Sequence, residues 1–146
     1  MRIRYRTLVA ALIVTTMLFT ASAAVASGGR PRDAKYAGET GPGYPMHFDV
    51  IDNGGQVSKL VVAVEATCDP GAGDVAPTYD FGTLTIHDGS FSGATNRAFG
   101  STVSDSVRIE GKFKDDRFTG DVIDTQRITS LPTCTQSEPF TAKPVS

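Results

Sequence analysis

Two histidines, each with an acidic neighbour, come nearest to catalytic or metal chemistry in this 146-residue chain. His47 and Asp49 stand two apart, which on an extended strand puts both side chains on one face. His87 is followed directly by Asp88. A histidine beside a carboxylate supplies a base with a group to orient it, or two of the ligands a zinc ion takes. A small secreted hydrolase or metal-dependent enzyme using His47, Asp49, His87 and Asp88 is therefore one expectation. Against it, both pairs fall at the surface ends of extended segments, where solvated histidines are ordinary, and no third member completes a triad.

Other chemistries lack their residues. Gly89-Ser90-Phe91-Ser92-Gly93 places its glycines correctly for neither serine as a nucleophile. Segment 69–74 carries only two carboxylates, without the spacing of a calcium loop. Asp115, Asp116 and Asp121 crowd one stretch, but Lys112, Lys114 and Arg117 stand among them, as in a solvated hairpin tip. No glycine-rich phosphate loop leads into a helix, and no basic patch is interleaved with aromatics. Neither a catalytic residue, a metal, a cofactor nor a nucleic acid is expected.

The N-terminus reads as an export signal. Arg2, Arg4 and Arg6 precede an uncharged, mostly apolar run at 7–20, and small residues offer cleavage after Ala23 or Ala26. An uncleaved anchor is the alternative; Thr15, Thr16, Thr20 and the small-residue end argue against it. Residues 1–26 are assigned to the signal peptide, 27–34 to a flexible leader and 35–146 to one domain, with no stable membrane span after cleavage. Cleavage after Ala26 removes three arginines and no acid, so 14 basic residues become 11 against 16 acidic ones, a net charge of −5. That balance disfavours a phosphate-backbone partner. The expected location is secreted or cell-envelope, periplasmic in a two-membrane bacterium.

Cys68 and Cys134 are the only cysteines. In an exported chain they most simply form one disulfide, closing a loop of about 66 residues and contributing roughly 4 kcal/mol at most. Neither has the Cys-x-x-Cys spacing or histidine neighbours of a redox or metal pair.

The elements that position these residues are strands. From 103 to 113 the odd positions are Val, Asp, Val, Ile, Gly and Phe, and the even ones are polar: the period of a half-buried strand. A two-residue turn at Asp115-Asp116 sets Phe113 against Phe118, Gly111 against Gly120 and Ile109 against Val122, all on one side. Glu110 then faces Asp121 outside, tolerable if Arg108 or Lys112 bridges. Asp88-Gly89 predicts a second two-residue turn, with Leu84 against Gly93. Asn53-Gly54-Gly55 predicts a three-residue loop that sets Phe48 against Leu60, Met46 against Val62 and Asp49 against Lys59. The unbroken apolar run 60–64 predicts the most central strand. Phe81-Gly82 predicts a break, 94–101 is ambiguous, 130–137 reads as a turn, and 138–143 as a short last strand. Rings placed near Gly111 and Gly120 suggest a bend rather than a ligand notch.

Gly-x-Phe-x-Gly at 89–93, Val-x-Ile-x-Gly-x-Phe at 107–113, Phe-Thr-Gly at 118–120, Cys134 and Phe-x-Ala at 140–142 resemble small exported bacterial β proteins of uncharacterised function. With Tyr36, Gly38 and Cys68 the resemblance spans most of the mature chain. It implies one disulfide-linked antiparallel β domain and no activity. The fold expected is all-β: a seven- or eight-stranded antiparallel meander closing as a small barrel or a two-layer sandwich, with a Cys68–Cys134 bridge. The function expected is a non-enzymatic binding or interaction module for a small apolar ligand or a protein partner. An apolar ligand would sit at an open end near Tyr44, Tyr79 or Phe99. A structural or inhibitory protein acting through loop 69–78 is a further alternative.

Overall fold

The computed structural model describes residues 29–65 and 76–145, with Phe99 described by its backbone alone. The expected signal peptide, Cys68 and most of the 69–78 loop lie outside these residues. The described chain forms nine strands: β1 (Ala34–Thr40), β2 (Pro45–Ile51), β3 (Gln56–Ala63), β4 (Thr78–Asp80), β5 (Leu84–Thr85), β6 (Ser90–Phe99), β7 (Val103–Lys114), β8 (Arg117–Ile128) and β9 (Cys134–Val145). All pair antiparallel in the order β4-β3-β2-β1-β9-β8-β7-β6, with β5 also on β3. From β1 to β4 and from β6 to β9 each strand pairs with its neighbour in sequence, as in a meander. The first and last strands close it through six residue pairs, from Lys35↔Val145 to Thr40↔Phe140. The result is a barrel with one unsealed seam.

That seam falls inside the chain rather than at its termini. β4 and β5 are one strand interrupted at 81–83, where Gly82 takes a φ of +66°. Among the described residues, the bridge His87↔Ser90 is the one backbone pairing that links the β5 segment to β6 across the Asp88-Gly89 turn. Leu84 closes this region sterically by packing over Gly93, as the sequence register requires.

The β7–β8 hairpin follows the expected count: Phe113↔Phe118, Gly111↔Gly120 and Ile109↔Val122. Asp115 and Asp116 take φ of 53° and 61°, the left-handed pair that a type I′ turn needs. Glu110 faces Asp121, and an ion pair to Arg108 offsets the like charges. A Cβ on Gly120 would fall on the Glu110 carbonyl, and one on Gly111 would stand 2.5 Å from the Phe91 ring. The glycines therefore permit a sharp bend with a ring laid over bare backbone.

Three expectations need correction, and the ambiguous segment is settled. The β2–β3 loop spans 52–55, and a bulge follows at Lys59, whose φ is 52°. Asp49 therefore pairs with Ser58, while the Lys59 ammonium still reaches its carboxylate at 3.1 Å. The bulge explains why both Val57 and Leu60 are buried although three apart. β3 is not central: only β4 and β5 lie beyond it, and β1 and β9 hold the middle of the order. Its apolar run arises because Ala63 and Val64 stay buried where β3 ends. Residues 94–99 continue β6 in full register with β7. Cys134 and the residues after it already belong to β9, which runs twelve residues rather than six.

Aromatic rings fill the barrel interior. Phe118 is the hub, with Tyr36, Phe48, Phe91 and Phe113 at centroid distances of 5.1–5.5 Å. Tyr36 also stacks on Phe48 at 5.3 Å. Such pairs contribute about 0.5–1.5 kcal/mol each beyond the area they bury. These rings occupy the barrel toward the end that carries the turns at 52–55, 88–89 and 115–116.

Candidate functional site

The two histidine pairs do not meet. His47 is exposed on the outer face of β2, opposite Val61 on β3. His87 lies two residues beyond Thr85, which is opposite Gln56 on β3. About seven residues of β3 separate the two levels, roughly 20 Å at strand rise. Asp49 is engaged with Lys59, and Asp88 occupies a turn with a φ of 49°. Among the described residues no three His, Cys, Asp or Glu side chains stand close enough to hold a metal ion.

The polar interior lies at the other end of the barrel. Asp105 on β7, Asp124 and Gln126 on β8, Glu138 on β9 and Thr40 at the end of β1 all point inward and are at most 6% exposed. The strand period places them there. Asp105 continues the inner phase of Val107 and Ile109; Asp124 and Gln126 continue that of Phe118 and Val122; Glu138 continues that of Phe140 and Ala142. In register Asp105 faces Gln126, while Asp124 stands diagonal to both Asp105 and Glu138.

Across the seam Tyr79 of β4 donates its hydroxyl to Asp105 Oδ2 at 2.7 Å. Burial, with Asp105 beside it, pushes the Tyr79 pKa far above the ordinary phenol range, so it remains a donor. Arg97 of β6 is in register with Asp105, and its charge opposes that shift. Arg97 also donates to the Thr78 carbonyl at 3.4 Å, a second link over the seam. The backbone N–H of Glu65 donates to Glu138 Oε1 at 3.1 Å, and the Gln136 amide reaches both the Glu65 carbonyl and that carboxylate.

These contacts leave acceptors over. Thr40 Oγ1, Asp105 Oδ1, Asp124 Oδ1, Gln126 Oε1 and Glu138 Oε2 are buried without a hydrogen-bond partner, and these are all such side-chain atoms among the described residues. An unsatisfied buried polar atom costs about 1–3 kcal/mol, so five are comparable with the whole stability of an ordinary domain. Burial, then the charges of Asp105 and Glu138, raise the Asp124 pKa from 3.8 to about 6. The inward-facing acids are thus gathered at one end of the barrel axis.

Of the residues expected to line a ligand, Tyr79 is buried in this polar end, facing a carboxylate instead of an apolar void. Tyr44 is half-buried in the β1–β2 connection at the same end, its carbonyl accepting from the Thr40 N–H at 2.9 Å. The backbone of Phe99 closes β6 there; its side chain lies outside the described residues. The signal for Asp124, Gln126 and Glu138 was present in the sequence as polar residues in the inward phase of otherwise apolar strands. On the outside, Ser92, Glu110, Lys112, Thr119 and Asp121 line a shallow groove of about 760 Å³ produced by the glycine bend. Its mixed charges show no convergence on one chemistry. Compared with protein-family models, curated proteins and solved structures, the chain matches none.

Proposed function

We propose that the chain is an exported, non-enzymatic binding module whose ligand end is the one formed by Tyr79, Asp105, Asp124, Gln126 and Glu138. The observation that carries this is the gathering of five buried, unpartnered oxygens at one end of a barrel otherwise packed with rings. Binding sites combine a scaffold that is already folded with a few convergent polar groups, and strongly perturbed titrating groups gather at them. The outer histidines, roughly 20 Å apart along β3, give no comparable support for hydrolysis. A Cys68–Cys134 disulfide fits the same scheme, since Cys134 begins β9 opposite Gln126 and would staple the strand that carries Glu138.

The test is amide-resolved NMR of the protein as its host exports it, titrated with a chemically mixed fragment set. Shifts concentrated on 78–80, 103–107, 122–126 and 136–140 support the reading. Fragments that move only the outer groove, or nothing, overturn it. Mass spectrometry of the same sample reads the mature N-terminus and the cysteine pairing.

A further inference from the structure

We propose that the acidic end of the barrel binds an organic cation, an alkylammonium or guanidinium group, held by Asp105, Asp124 and Glu138. This rests on the reading of that end as a ligand site and names its chemistry. Hydrogen bonding argues for it first. Ionised carboxylates and an amide oxygen only accept. The donors that reach the three carboxylates are already engaged: Tyr79 Oη on Asp105, the Thr125 N–H on Asp124, the Glu65 N–H on Glu138, and Gln136 Nε2 on the Glu65 carbonyl and Glu138. The oxygens left over match a ligand made of N–H donors.

Charge argues the same way. Three carboxylates face inward from β7, β8 and β9. Arg97 of β6, itself exposed, stands in register with Asp105. Buried carboxylates persist as ions only when paired.

Size separates an organic cation from a metal ion. On β8 Asp105 is opposite Gln126 and Glu138 opposite Val122, so the backbones bearing them are two strand spacings and four residues apart, roughly 16 Å, with Asp124 between them. A calcium ion draws its ligands to about 2.5 Å, and no three-ligand group is preformed among the described residues. A guanidinium with five donors, or an ammonium with three, can sit at the central Asp124 and turn its remaining donors toward the carboxylates on either side. The unsealed seam between β4 and β6 is the approach, and the Tyr79–Asp105 hydrogen bond lies across it.

The experiment titrates the exported protein with agmatine, n-butylamine, butanamide, hexanoate and calcium chloride, reading amide shifts and calorimetry at pH 7.5 and pH 5. Agmatine and butylamine are expected to shift residues 79, 105, 124, 126 and 138, with affinity falling about tenfold at pH 5 as the Asp124 carboxyl takes up a proton. Asp124→Asn is expected to weaken agmatine at least tenfold at pH 7.5, and Asp121→Asn on the outer face to leave it unchanged. Should Asp124→Asn misfold, the wild-type pH comparison decides alone. If butanamide, hexanoate or calcium moves those residues and the amines do not, the end is a ligand site of other chemistry and this inference falls by itself. If no probe moves them, the functional reading falls with it.

Discussion

Replacing Asp124 with asparagine is expected to stabilise the protein at pH 8 and to leave it nearly unchanged at pH 4. The folded state raises the Asp124 pKa from 3.8 to about 6, because burial and the charges of Asp105 and Glu138 disfavour the anion. A raised carboxyl binds its proton more tightly folded than unfolded. Its favourable contribution is therefore complete below pH 3.8 and is lost as pH rises through 6. One pKa unit corresponds to about 1.4 kcal/mol, so ionising Asp124 in place lowers stability by about 3 kcal/mol. Asparagine carries no charge, and its amide donates much as the protonated carboxyl does. The assay is urea unfolding at 25 °C from pH 4 to pH 8, followed by tyrosine emission because the chain has four tyrosines and no tryptophan. Each other carboxylate contributes its own slope, so the quantity to read is the difference between variant and wild type. It should grow from near zero at pH 4 to about 3 kcal/mol at pH 8, with an unchanged dependence on urea. A difference that is constant with pH, or one that favours wild type at pH 8, would refute the account of the acidic end as a strained cluster of acceptors.

Gly120→Ala is expected to lower stability by about 3 kcal/mol or more, read from the same urea curves, because its methyl would fall on the Glu110 carbonyl and the bend cannot relax around it. Phe118→Ala should lose about 3–5 kcal/mol, since four rings pack on that side chain. Lys59→Ala should change stability by less than about 0.5 kcal/mol in spite of its 3.1 Å ion pair, because the ammonium is largely exposed. Reducing the proposed Cys68–Cys134 bridge should lower the urea midpoint by an amount equivalent to about 2–4 kcal/mol, with thiol titration confirming two groups released.

The hairpin from 103 to 128 was legible because two signals with independent causes agreed. Side-chain alternation fixed which face was buried, and the Asp115-Asp116 turn fixed the register. Where one signal was missing, the reading slipped. Lys59 carries no mark of the left-handed conformation it adopts, so the bulge after Val57 was invisible, and the count across 52–55 ran one residue out. Segments 94–99 and 134–137 are polar and weakly alternating; they are strands because a long partner supplies a ladder to pair with, which is tertiary context overriding local preference. The central position of β1 was equally hidden, since its pairing with β9 joins residues about a hundred positions apart and leaves no local trace.

The acidic members of the candidate site were missed for a different reason. Asp105 was read as a member of the inner phase, and a carboxylate there contradicts the rule that the inner phase is apolar. A single such residue is easily discounted as the frayed end of a strand. Three of them on three consecutive strands, together with Gln126 and Thr40, cannot each be an independent exception, because the register places them as neighbours. Local consistency between pattern and fold therefore breaks at one place in the barrel, and it breaks in a single chemical direction, toward acceptors and negative charge. Natural sequences depart from such consistency chiefly where function requires it. The ring-packed end follows the rules and provides stability; the acidic end violates them at a cost that Asp124 makes measurable, and that cost is the physical ground for the proposal of a ligand there.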